Sequence, residues 1–223
     1  MIDMLSGILF IYGCCLGSFL CAAASRYATQ ESLLFPASHC EWCQTPLAYW
    51  QLIPGLSYWC LRERCAYCQA PIPVDTLIAE LGGGLLLTTW HGPASTQPLA
   101  WLFLWSYAAF CDARTQSFPA WVGLVNLVLA PHPITLATTL GLLLTTTAIR
   151  WGWSRWSRPW IGDGDLEFIS SFGIALGPLA TSRWLSLACL LALFAHWQTP
   201  HRRLPFIPAL TVSAWIWWLL PGH

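Results

Sequence analysis

Residues 162–180 read GDGDLEFISSFGIALGPLA, so two glycines and two carboxylates, Gly162-Asp163-Gly164-Asp165, stand directly before a long apolar run. An aspartate at mid-bilayer costs about 2.5–3.5 kcal/mol on insertion scales, so an acid bordering a membrane span faces a wet cavity, finds a partner or does chemistry. Asp112 closes another apolar run in the same fashion. Two acids placed in this way invite the reading of a shared site.

Outward from that stretch, the whole chain is apolar. Of 223 residues, 56% are hydrophobic and only 9% charged, and the mean hydropathy is +0.54. A soluble domain of this size needs a more polar surface, so the composition predicts an all-α polytopic membrane protein whose main partner is the lipid bilayer. Formal net charge is zero, which gives no electrostatic ground for binding nucleic acid or a strongly acidic partner. All ten basic residues are arginine. The absence of lysine excludes a Walker-type phosphate loop, a Schiff base and a Ser/Lys dyad.

Residues 4–25 form a first span of bilayer length. Asp3 precedes it and Arg26 follows, the reverse of the charge order of a cleaved signal peptide, so the span reads as retained with its N-terminus outside. Further spans are expected near 77–91, 98–111, 118–131, 133–149, 166–180, 183–198 and 204–220, about eight helices in all. This divides the chain into a first transmembrane helix (1–26), a loop domain (27–76) and a seven-helix membrane domain (77–223). With the N-terminus outside, nine of the ten arginines fall on the cytoplasmic side and only Arg183 falls outside. Asp112 and Asp165 then end and begin helices at the cytoplasmic face.

The loop domain holds Cys40-Glu41-Trp42-Cys43 and Cys65-Ala66-Tyr67-Cys68, two C-x-x-C pairs separated by 21 residues. Each pair can chelate from one tight turn, and four thiolates complete a tetrahedral, structural zinc shell. The alternative is a pair of disulfides, which requires an oxidising compartment; the cytoplasmic placement favours zinc. Cys60 and His39 break the paired spacing and read as bystanders. The alternating Trp and Arg of residues 151–160 read as an interfacial belt rather than a nucleic-acid surface. Gly82-Gly83-Gly84 and the Thr-rich stretch 138–147 read as close helix-packing surfaces. Cys14, Cys15, Cys21, Cys111 and Cys189 read as packing residues in spans.

Peptide hydrolysis needs a base to activate water and an acid to protonate the leaving amine. Two neighbouring carboxylates sharing one proton supply both, and because they titrate as a unit neither is given a fixed role. The glycines beside Asp163 would let an extended substrate approach the backbone. Against this, Asp163 or Asp165 can simply cap a helix N-terminus. Glu80 and Glu167 are candidates for a wet cavity, although for Glu167 a polar helix start is the simpler account. No H-E-x-x-H or serine-protease arrangement is present.

Over nearly its whole length the sequence resembles the prepilin peptidases. The resemblance rests on Gly17-Ser18-Phe19-Leu20, Ser38-His39-Cys40, Leu52-Ile53-Pro54 with Ser57-Tyr58, and both C-x-x-C pairs. It extends through Glu80, Asp112 with Arg114, Phe118-Pro119, the Gly-x-Gly-Asp of 162–165 and Pro205-Phe206. It implies a bacterial cytoplasmic-membrane aspartic endopeptidase in which Asp112 and Asp165 cleave the positively charged leader from type IV prepilin or pseudopilin precursors. It also implies N-methylation of the new N-terminus with S-adenosylmethionine, an activity with which Glu80 is associated. The chain departs from the family at Glu167, where lysine is usual, and at Cys21, where asparagine is usual. Rival readings are another intramembrane aspartic protease sharing Gly-x-Gly-Asp, which would lack the four-cysteine loop, and a non-enzymatic zinc-dependent scaffold or transporter.

Overall fold

The computed structural model describes residues 2–131, 162–198 and 204–220, with positions 140, 141, 144, 147, 148, 151, 152 and 155 between them. Among the described residues every regular element is a helix. The chain divides into two units, Met1–Ser95 and Thr96–His223.

The first unit pairs α1 (Ile2–Thr29) with α3 (Val74–Thr88), and the loop domain between them contains a 3-10 turn (Tyr49–Leu52) and the short α2 (Leu56–Cys60). α1 has no internal proline and carries Arg26 in its last turn, where a cation complements the exposed carbonyls. Arg26 also donates to the carbonyls of Ser32 (2.6 Å) and Pro36 (2.7 Å), folding the chain back on the helix end. The two long helices meet through small residues at four-residue spacing. Gly13 and Gly17 on α1 lie against Gly83 and Ala79 on α3, so that a Cβ on Gly13, Gly17 or Gly83 would strike a carbonyl oxygen of the other helix. Backbones this close maximise dispersion contact where lipid supplies no hydrophobic drive for association. Gly84 is covered instead by the Phe10 ring and the Cys14 sulfur.

Gly17→Val therefore forces the two backbones apart. The expected cost is about 1–3 kcal/mol, the usual range for overpacking, read as a lower melting temperature of the purified protein. Gly7→Val on the same helix meets nothing within 4 Å and should melt like the parent; equal losses in both would show that the close crossing is not the cause.

The second unit comprises α4 (Pro93–Thr115, which starts at the boundary), α5 (Ala120–Leu129), α6 (Asp163–Gln198) and α7 (Ile207–Leu219). α6 is two helical limbs broken at Gly177 (φ 82, ψ 172), a backbone conformation open to glycine and followed by Pro178, which has no N–H to donate. The expected spans 166–180 and 183–198 both fall in this one element, and its break at Gly177 lies inside the first of them rather than between them, because glycine followed by proline interrupts the helix there. The expected span 133–149 falls almost wholly outside the described residues, as does most of the Trp/Arg stretch, in which Arg155 lies over the Trp151 ring at 3.9 Å. By length and composition, Met4–Thr29 and Asp163–Gln198 can cross a membrane; Ala120–Leu129 and Ile207–Leu219 are shorter apolar helices.

Aromatic rings fill the core of this unit. Trp105 meets Phe168 edge to face at 4.7 Å, and Phe172 stacks on Trp184 at 4.1 Å with a 9° interplanar angle. Trp184 donates its indole N–H to the Leu210 carbonyl (3.0 Å) and its own carbonyl accepts from Ser213 (2.8 Å), tying α7 to the second limb of α6. Of the span cysteines, Cys14, Cys21 and Cys111 are buried, whereas Cys15 and Cys189 are exposed.

Candidate active site and candidate metal centre

Asp112 lies in the last turn of α4, and Asp165 in the first turn of α6. The fold brings the two carboxyl groups close enough for the charge of Asp112 to act on Asp165. Asp112 is only 8% exposed, and its Oδ2 accepts the backbone N–H of Ile207 (3.2 Å), the first residue of α7. Asp165 is half-buried, and its Oδ2 accepts the Gly162 N–H (3.3 Å). Each acid is thus held by one backbone donor at a helix N-terminus, with lone pairs left over. Asp163, two residues away, is exposed.

Phe118, in the short link between α4 and α5, fixes the turn that presents Asp165. A Cβ on Gly164 would lie 2.5 Å from the Phe118 ring, and that ring packs edge to face on Phe168 at 5.6 Å. Gly164 is therefore needed by an internal ring, and this differs from the expectation that it leaves room for substrate. Glu167 places its carboxyl over Gly123 of α5, where a Cβ would collide with it. Glu167→Lys must move its longer side chain off this glycine but leaves both aspartates and their backbone donors in place. Cleavage of a pilin-like precursor is expected to persist in this variant, measured as mature product per unit of enzyme; complete loss would give the acidic residue a role of its own.

Glu80 lies on α3 among packed elements. It is 4% exposed and accepts Ser18 Oγ (2.9 Å) from α1 and the Gly55 N–H (2.7 Å) from the loop domain. A buried carboxylate so bonded avoids much of its desolvation cost and pins α1, α3 and the loop together.

In the loop domain, Cys40, Cys43, Cys65 and Cys68 form a cluster whose sulfurs all lie within 4.8 Å of one another. Cys40 and Cys68 are 3.8 Å apart. That is too long for a disulfide and close to the S···S edge of a tetrahedron built on Zn–S bonds of about 2.3 Å. The cluster can hold a metal ion. It is made of two copies of one turn. Cys40-Glu41-Trp42-Cys43-Gln44-Thr45-Pro46 and Cys65-Ala66-Tyr67-Cys68-Gln69-Ala70-Pro71 share a Cys-x-aromatic-Cys-Gln-x-Pro pattern. In both, the first cysteine exchanges backbone hydrogen bonds with the chain four and five residues on, Gln44 to Cys40 (2.9 Å) and Cys40 to Thr45 (3.0 Å), then Gln69 to Cys65 (3.1 Å) and Cys65 to Ala70 (2.8 Å). Gln44 and Gln69 both take left-handed φ values, 57° and 59°. The glutamine-and-proline echo is legible in the sequence beside the stronger cysteine signal. Glu41, between the first two cysteines, accepts from Ser25 of α1.

The thiols are unequal. Hydrogen bonds from the Thr45 side chain and backbone lower Cys43 to about 6. Backbone N–H groups of Cys68 and Tyr67 lower Cys65. At Cys68 the Ala70 N–H favours the thiolate, but desolvation and the bonds its thiol makes to Cys43, Cys65 and Cys40 outweigh it, pushing Cys68 up to about 11.

Among the described residues the chain is an all-helical protein with two helices long and apolar enough to cross a membrane and a loop that gathers four thiols. Residues 11–91 match the family Bacterial Peptidase A24 N-terminal domain. Over 209 residues the chain is 32% identical to a prepilin leader peptidase/N-methyltransferase of Neisseria gonorrhoeae, covering 83% of this chain and 71% of that protein. It is 29% identical to another of that name from Klebsiella pneumoniae, covering 81% and 89% of the respective chains. It is 30% identical to a type 4 prepilin-like proteins leader peptide-processing enzyme of Escherichia coli O78:H11, covering 82% and 75%. The chain belongs to the prepilin leader peptidase family. No solved structure matches it.

Proposed function

We propose that the protein is a membrane aspartic endopeptidase that removes the leader peptide from type IV prepilin or pseudopilin precursors and then methylates the exposed N-terminus. Asp112 and Asp165 are its catalytic pair. The observation that carries this reading is that carboxyl groups from different helices lie near enough for the charge of Asp112 to act on Asp165, each bonded to a backbone N–H. With one proton shared, one carboxylate takes a proton from water as its oxygen adds to the scissile carbonyl. The other carboxyl protonates the leaving amine, so the C–N bond breaks, a C–O bond forms and the pair returns to its starting state.

In this reading Cys40, Cys43, Cys65 and Cys68 hold a structural zinc ion, which would cross-link two turns that otherwise have little apolar core. S-adenosylmethionine would supply the methyl group, and no residue is assigned to holding it. Eight spans, an outside N-terminus and a cytoplasmic placement of the cysteine loop and the aspartates complete the topology, supported by nine of ten arginines on one side. The loop domain occupies residues 27–76 and the membrane peptidase domain 77–223.

The test is incubation of membranes containing the intact chain with a pilin-like precursor. Release of the leader and a new, methylated N-terminus, read by mass spectrometry, is the expected result. A cleaved but unmethylated product would remove the second activity alone; no cleavage of any prepilin-like precursor would remove the reading.

A further inference from the structure

We propose that Asn126 is a positioning residue for the paired aspartates: it sets the spacing and rotation of α4 against α6, the helices that carry them. The proposal rests on the peptidase reading above and concerns a residue remote from the reacting atoms.

Asn126 lies on α5 and is fully buried. Its Oδ1 accepts the indole N–H of Trp101 (2.7 Å) and that of Trp105 (2.8 Å), both on α4. Its Nδ2 donates to Ser171 Oγ (3.0 Å) on α6, and Ser171 donates in turn to the Phe168 carbonyl (2.9 Å). The Trp101 N–H also reaches the Asn126 carbonyl oxygen (3.2 Å). One side-chain amide thus joins three helices in an otherwise aromatic core.

Both arms of this hub lead to an aspartate. On α4, Trp101, Trp105, Ala108 and Asp112 recur at helical spacing and are all buried; from Trp105 to Asp112 is about 10 Å along the axis. On α6, Ser171 lies about 9 Å along the axis from Asp165. Between hub and site, Trp105 packs on Phe168, and Phe168 on the Phe118 ring that covers Gly164. Apolar rings tolerate sliding, whereas hydrogen bonds of fixed length and direction do not. A rigid tie at equal depth on both helices is the device that a two-carboxylate site requires, because a misplacement of about 1 Å can cost on the order of 100-fold in rate.

The experiment uses full-length protein in membranes and compares Asn126→Leu with Val122→Ala, one turn earlier on α5. Val122 is also fully buried, but its truncation removes apolar packing and no hydrogen bond. Both variants should melt lower than the parent, and assays are run well below either melting temperature. For Asn126→Leu, kcat for precursor cleavage is expected to fall at least about tenfold with KM changed less than about twofold, the pattern of a lost transition-state arrangement. Val122→Ala should keep a parental kcat. Equal falls in kcat for the two variants, or a parental kcat in Asn126→Leu, would overturn the proposal. If Asp112→Asn and Asp165→Asn also cleave at the parental rate, the peptidase assignment itself has failed, and the hub's role goes with it.

Discussion

Asp112→Asn and Asp165→Asn each abolish precursor cleavage, with an expected loss of at least ~10³-fold in kcat, because loss of the base and acid functions of one group compounds two proton-transfer terms. Asparagine keeps the size of the side chain and an oxygen acceptor, so the Ile207 and Gly162 N–H groups retain their partners. What disappears is the ability to take and return a proton. The fold should therefore survive, and unchanged expression and melting are part of the expected result. Asp163→Asn supplies the contrast: that side chain is exposed at the helix start, and its loss should leave cleavage within a few-fold of the parent. Cleavage by both Asp112→Asn and Asp165→Asn would move attention from this pair to the cysteine loop.

Purified protein is expected to carry about one zinc per chain, and substitution of any one of the four cysteines by serine to release it. The four sulfurs are already gathered within 4.8 Å, so binding requires loss of protons more than movement. Affinity follows pH accordingly. Cys68, at about 11, is still protonated at neutral pH, whereas Cys43, at about 6, is mostly ionised. Zinc binding at pH 7 would have to displace the Cys68 proton, and below about pH 6 that of Cys43 in addition. Each displaced proton weakens binding about tenfold per unit of falling pH, and the slope steepens once Cys43 is protonated.

Without metal the same shifts act on the folded loop in opposite directions. The lowered Cys43 contributes stability above the ordinary thiol range that is lost as pH falls through about 6. The raised Cys68 contributes stability below that range that is lost as pH rises through about 11. Metal content by mass spectrometry and protease resistance of the loop, measured with and without a chelator, check the metal reading. A loop equally resistant in both conditions, with no metal in the fresh preparation, would remove zinc from the fold.

The two C-x-x-C pairs were legible because a chelating turn is local, and covalent geometry keeps cysteines at that spacing within reach of one ion. The apolar run of 4–25 was legible for a similar reason, since bilayer thickness demands length and composition and little else, whereas the boundary between 166–180 and 183–198 was not, because the break falls at Gly177. Harder to read was Gly164. Its glycine fits both an open approach and a covered one, and only the Phe118 ring distinguishes them. Glu80 posed the same difficulty: an acid within an apolar helix signals importance, but its partners Ser18 and Gly55 come from distant positions.

By itself, the sequence determined an apolar helical chain, a loop able to gather four thiols, two acids at helix ends and, through the order of its motifs, the family. The tertiary structure decided which groups meet. It brought Asp112 to Asp165, seated Asn126 between Trp101, Trp105 and Ser171, and let the glycines of α1 touch the backbone of α3. Hydrophobic periodicity specifies which face of a helix is buried, but the rotation and depth of one helix against another come from the packing of particular rings and the direction of particular hydrogen bonds.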